Sequence, residues 1–176
     1  NEHSSIEYWS NELSSGKSIA LVSDAGTPGI SDPGYLLAKA CIEKGIEVEC
    51  LAGPVAFVPA LIASGLACDR FCFEGFLPHK KGRQKRILSL KEETRTIIFY
   101  ESPHRIQKLI IELCEHFEED RKACISREIS KIYEEHIRGS LKEINAILGQ
   151  RTLKGEIVLT VEGRKEEKKT EEQNLL

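Results

Sequence analysis

The sequence predicts an α/β fold, and three observations carry that expectation. Short apolar runs with strand character alternate with segments of helical apolar spacing along most of the 176 residues. Glycine stands just past several helical segments, at Gly16, Gly45 and Gly65, where a left-handed turn ends a helix. A long loop rich in glycine and proline, residues 23–34, follows the first apolar run, and the carboxyl end of a strand is where open α/β sheets bind ligands.

In chain order, Ile6, Trp9 and Leu13 share one face of a helix over 5–13, and residues 18–22 read as a short strand. After the loop, 35–44 has helical spacing and 46–51 alternates as a strand ending at Ala52-Gly53-Pro54. Residues 57–64 form an apolar helix that tolerates Pro59 near its start. At 71–78 the texture changes, which sets a domain boundary after residue 77. Beyond it come a helix at 83–92, a strand at 96–100 and a helix at 103–117 with Ile106, Leu109, Ile110 and Leu113 inward. Strands at 122–127 and 133–138, a helix at 140–148 capped by Ser140, and a last strand at 156–161 complete the order. The expected domains are 1–77 and 78–163, with 164–176 a polar, disordered tail.

Within the loop, Gly26, Gly29 and Gly34 lift the Cβ restriction while Pro28 and Pro33 fix φ, so the segment is shaped rather than floppy. It has neither G-x-G-x-x-G spacing nor a Gly-Lys-Ser/Thr ending, which argues against a nucleotide phosphate cradle. An ordinary βα connection is the alternative, although such connections need only about two to six residues.

The net charge of −3 hides a segregation. Lys80, Lys81, Arg83, Lys85, Arg86 and Lys91 lie in one stretch without an acid, which suits phosphate backbones, with Phe76 nearby to stack on a base. A run of this kind is also what a solvated helix face looks like. The six cysteines are scattered, four of them inside apolar runs, and do not read as a disulfide framework. Cys68, Cys72 and His79 make at most half of a zinc site. Free thiols suggest a reducing, cytoplasmic setting. No segment approaches the roughly 18 to 20 consecutive apolar residues that cross a bilayer, and Asn1-Glu2-His3 does not open like a signal peptide.

Five motifs in order carry a family resemblance: Ser-Asp-Ala-Gly-Thr-Pro-Gly-Ile-Ser-Asp-Pro-Gly at 23–34, Leu-Ala-Gly-Pro-Val-Ala-Phe-Val-Pro-Ala-Leu at 51–61, Phe-Glu-Gly-Phe-Leu-Pro at 73–78, Phe-Tyr-Glu-Ser-Pro-His-Arg at 99–105 and Ser-Arg-Glu-Ile-Ser-Lys at 126–131. They resemble the ribosomal RNA small subunit methyltransferase I family, a branch of the tetrapyrrole methylase superfamily. The resemblance implies a two-domain α/β architecture, S-adenosylmethionine in a cleft between the domains, a homodimer, and 2'-O-methylation of a cytidine ribose in 16S rRNA without a metal. The family's leading strand, its Thr-Pro-Ile-Gly-Asn-Leu motif and an acidic Glu-Asp-Thr-Arg segment have no counterpart here, so the expected first domain is incomplete at its amino end.

Carried over by position, the superfamily's Gly-Asp-Pro turn falls on Gly26-Thr27-Pro28. The resemblance then sets the backbone of Ala25, Gly26 and Thr27 and the side chain of Ile30 near the methionine half of the cofactor. Thr27 replaces the family's Asp; Asp24 either supplies the acidic group or shapes the turn. Val55 and Ala56 match the second cofactor loop, and Glu101 and Gly139 match positions against the adenosine half. His104 is the titratable candidate to take the ribose hydroxyl's proton, or else a helix-start residue. Arg105 joins Lys80, Lys81, Arg83, Lys85 and Arg86 as an RNA contact, with Arg127 and Lys131 behind them. Two rival readings keep part of this pattern: a small-molecule, tetrapyrrole-type methyltransferase, and a non-catalytic RNA-binding fragment.

Overall fold

The computed structural model describes residues 2–165, and these divide into two compact units that meet in sequence at Ala56/Phe57. In the first unit, α1 (Glu2–Ser14) and α2 (Tyr35–Glu43) pack together. Lys44 Nζ donates to Ser10 Oγ (2.8 Å) and Asn11 Oδ1 (3.3 Å), beside buried Ser10 and Cys41. Gly45 ends α2 with φ +70°, which lets the Ile46 N–H reach the Cys41 carbonyl at 2.9 Å.

The strands expected at 18–22 and 46–51 do not form. A strand exists only through a ladder partner, and no described residue pairs with either segment. Their apolar side chains stand out accordingly, Val22 at 83% and Leu51 at 76% exposure.

The second unit opens with α3 (Phe57–Ser64) and β1 (Phe71–Phe76), then α4 (Arg83–Leu90), β2 (Thr96–Glu101), α5 (Ile106–His116), β3 (Lys122–Arg127), β4 (Glu135–Ser140), α6 (Leu141–Leu148) and β5 (Ile157–Val161). Its five strands form one sheet in the order β1-β2-β5-β3-β4. β1 and β2 are parallel, while β5 runs antiparallel to both of its neighbours and β3 and β4 form a hairpin. The strand expected at 133–138 is this β4, displaced toward the carboxyl end. Glu128 and Ser130 at positive φ make 128–134 a tight loop, and Ile132 and Tyr133, whose apolar character suggests a strand, point outward.

Alternation along the strands builds a core on each side of the sheet. Ile97, Phe99, Ile125 and Leu159 face Ile87 and Leu90 of α4, Leu109 and Leu113 of α5 and Ile144 of α6. Ile98 and Val158 turn to the other side and meet Ala60 and Leu61 of α3, with Phe57, Phe73 and Tyr100 packed around them. Burial on both faces explains why β2 and β5 read as nearly continuous apolar runs.

The boundary expected after residue 77 lies instead at Ala56/Phe57. α3 covers one face of the sheet and β1 pairs with β2, so both belong to the second unit. Of the expected tail, the Arg164 N–H still bonds the Glu93 carbonyl (2.7 Å), and residues 166–176 lie outside the described residues.

Candidate functional site

In the first unit the two glycine-bearing loops are joined directly. The Thr27 N–H donates to the Pro54 carbonyl at 3.0 Å and the Thr27 hydroxyl donates to the same oxygen at 3.2 Å. Gly53 permits this approach, because a Cβ there would lie 2.9 Å from Thr27 Oγ1. The Ser23 hydroxyl donates to the Gly26 carbonyl at 3.0 Å and braces the turn from below. Thr27 therefore has a structural task in place of the family's acid: it sews residues 23–34 to residues 52–56. Asp24, Ala25 and Gly26 are left exposed beside half-buried Val55, so exposed backbone, one carboxylate and small side chains gather at one place.

In the second unit the end of β2 carries a charge cluster. Glu101 has a fully buried side chain, and an isolated buried carboxylate would be costly. It is compensated by Arg105 Nη2 at 2.8 Å, by the Ser102 N–H at 2.8 Å and by Arg83 Nη1 at 3.5 Å. Arg83 is held in turn by Glu112 at 2.8 Å, and Arg105 Nη1 reaches the ring nitrogens of His79 at 2.6 and 2.9 Å. Ser102 also accepts the backbone N–H groups of Arg105 and Ile106, each at 3.0 Å. The 102–105 turn is thereby moored, with exposed His104 at its outer corner.

These contacts correct several expectations. Glu101, expected against the adenosine half of the cofactor, has no exposed side-chain surface and is engaged by Arg105 and Arg83 inside the protein. Arg83, expected as an RNA contact, is buried and turned toward Glu112 and Glu101. Its inward direction was readable in the sequence, since Arg83, Ile87 and Leu90 recur at the i, i+4, i+7 spacing of one helix face. Arg86 faces Glu74 through two bonds, 2.6 and 2.7 Å, and that carboxylate raises the guanidinium pKa above its ordinary value. Lys80, Lys81 and Lys85 remain exposed, with no ion pair among the described residues. Arg127 is paired with Glu135 and Lys131 with Glu128 and Glu156.

Gly139 has a structural explanation as well. Glu143 folds back to the Ser140 N–H at 2.7 Å while the Ser140 hydroxyl accepts from the Glu143 N–H at 3.2 Å, capping α6. A Cβ on Gly139 would press within 3.0 Å of Glu143 Oε2. Cys72 is a neutral thiol, its pKa pushed up to about 11 by burial and by neighbouring Glu74. All six cysteines are free, and no cluster able to hold a metal ion occurs among the described residues. No described helix is long and apolar enough to cross a membrane.

Comparison with known proteins adds the following. The family model for Tetrapyrrole (Corrin/Porphyrin) Methylases matches residues 1–145. A ribosomal RNA small subunit methyltransferase I from Buchnera aphidicola subsp. Schizaphis graminum is 50% identical over 173 residues, covering 94% of this chain and 60% of that protein. Its counterpart from Synechocystis is 46% identical over 164 residues, covering 93% of this chain and 59% of that protein. The chain thus spans about 60% of the length of these curated relatives. Among solved structures, the methyltransferase CobJ superposes with a TM-score of 0.66 at 19% identity, over 92% of this chain and 72% of that one. A uroporphyrin-III C-methyl transferase from Thermus thermophilus, complexed with S-adenyl homocysteine, gives 0.62 at 14% identity, over 92% and 74%. Both likenesses speak to the fold.

Proposed function

The chain belongs to the tetrapyrrole methylase family, and from that premise we propose that it is the cofactor-bearing part of an S-adenosylmethionine-dependent enzyme that 2'-O-methylates a cytidine ribose in 16S rRNA. The sewn loops at Thr27 and Pro54 are the observation that carries this reading, because they hold the matched cofactor segments in one shape. The substrate follows the names of relatives 46–50% identical to this chain.

The residues of the first unit fit the methionine half of the cofactor. Exposed backbone of Ala25 and Gly26 offers hydrogen bonds to an amino acid group, Asp24 offers a carboxylate to an ammonium, and Val55, Ala56 and Ile30 offer apolar surface to a thioether chain. The cofactor, when bound, supplies a methyl group already activated by a sulfonium. The protein's remaining work is to align the ribose hydroxyl, exclude water and take a proton. We assign the proton to the imidazole of His104, on a turn that Glu101 and Ser102 keep rigid. The reading extends to a cytoplasmic homodimer; the free thiols agree with a reducing compartment.

Calorimetric titration of S-adenosylmethionine into this chain tests the cofactor assignment. Gly53→Val, which forces the loops apart, is expected to weaken binding about tenfold or more; no binding by the unaltered chain overturns the assignment. Transfer of a labelled methyl group to small ribosomal subunits tests the reaction. His104→Ala is expected to lower the rate about a hundredfold or more, with cofactor binding unchanged; a rate left intact removes His104 from the chemistry.

A further inference from the structure

Where β1 ends and α4 begins, a groove of about 550 Å³ opens to solvent, within the size range that small ligands occupy. Glu74, Phe76, Leu77 and Pro78 line it from β1 and the turn that follows, and Lys85 and Arg86 line it from α4. Phe76 is 52% exposed yet does not lie loose, because its ring is set edge-on against Tyr100 of β2 at 5.6 Å and 62°. An aromatic face held in one orientation and open to solvent loses little freedom when a planar ligand covers it.

The charges beside the ring have different states. The register of β1 slips between Phe73 and Gly75, and Glu74, at the slip, forms its paired bonds with Arg86. That guanidinium is neutralised where it stands. Lys85, on the same helix, has no acidic partner among the described residues, and neither have Lys80 and Lys81 in the turn before it. The groove therefore joins one stacking platform to one unpaired cation, Lys85, with Lys80 and Lys81 in the turn before α4, a combination complementary to a single-stranded nucleic acid, whose bases have exposed π faces and whose phosphates are anions.

We propose that this groove is a subsite for one unstacked nucleotide of the RNA, its base lying on Phe76 and its phosphate on Lys85, with Lys80 and Lys81 following the backbone. Arg83 and Arg86 are excluded from the contact, Arg83 by burial and Arg86 by Glu74. The proposal rests on the RNA substrate assigned above and adds a place and a division of labour to it. A paired duplex would not fit, since its bases are stacked on one another.

Fluorescence anisotropy with a short labelled oligocytidylate RNA, over a range of salt and without cofactor, tests this subsite. Phe76→Ala and the apolar Phe76→Leu should each weaken binding about tenfold. The logarithmic salt dependence should stay unchanged in both. Lys85→Gln should reduce the salt slope by about one, whereas Arg86→Gln should leave the slope alone and lower the melting temperature. A Phe76→Leu variant that binds as tightly as the parent, or an Arg86→Gln variant that lowers the slope as far as Lys85→Gln, overturns the assignment. A parent chain that does not bind this RNA overturns it too. Because cofactor binding is read separately by calorimetry, loss of the subsite and loss of the methyltransferase reading give different results.

Discussion

The two units hold their shapes by different means. The second wraps both faces of a five-stranded sheet in helices and leaves Ile98, Phe99 and Leu159 without exposed surface. The first has one helix pair and two loops joined through Thr27 and Pro54, and its would-be strand residues face solvent. Stability is thus concentrated in one unit and ligand-shaped backbone in the other. A loop that must follow the outline of a ligand gains its form from a few directed hydrogen bonds, whereas a sheet gains its form from area.

The largest expected effect comes from the buried charges of the second unit. Glu101→Ala removes the carboxylate that Arg105 bonds and leaves Arg83 with Glu112 alone, and should cost about 3–5 kcal/mol in urea denaturation. A cost below about 1 kcal/mol would mean that the cluster is wetter than its burial indicates. Next, Leu159→Ala at the centre of the sheet should cost about 2–5 kcal/mol. Leu51→Ala in the first unit should stay within about 0.5 kcal/mol, and equal losses at the two positions would erase the contrast between the units.

The smallest effect concerns acid. Arg95 bonds to the Glu93 carboxylate through its side chain and its backbone N–H, and holds the carboxyl at about 2. A folded-state pKa below the ordinary one adds stability above the ordinary carboxylate range, and that stability is lost as the pH falls from about 4 toward about 2. Arg95 is partly exposed, so the contribution is that of a surface pair, at most about 1 kcal/mol. Glu93→Gln should make the urea midpoint less sensitive to pH across that window, and an unchanged pH dependence would detach this pair from acid unfolding.

Much of the second unit was legible in the sequence because its signals are local. The apolar spacing of 103–117 resolves as α5, Ser140 caps α6 as its residue type predicts, and the run at 96–100 becomes β2. The strands expected in the first unit do not form, because alternation indicates fitness for a ladder and says nothing of whether a partner is present. Among site residues, the association of 23–34 with 52–56 was legible from two matching loops. The burial of Glu101 was not legible, and although the spacing of Arg83, Ile87 and Leu90 points Arg83 inward, a charged run reads as solvated until its acids, Glu74, Glu101 and Glu112, are located in space. At Gly139, which the resemblance sets against the adenosine half of the cofactor, the capping carboxylate of Glu143 leaves a side chain little room.

The position of β5 has a consequence for synthesis. β5, the last strand among the described residues, is inserted between β2 and β3, so the segments of the β1–β2 pair and the β3–β4 hairpin are synthesised before the piece that joins them. A nascent chain halted ahead of Ile157 would present two half-sheets with open edges, each able to recruit a strand from another polypeptide. Emergence of β5 is therefore the event that joins the two half-sheets.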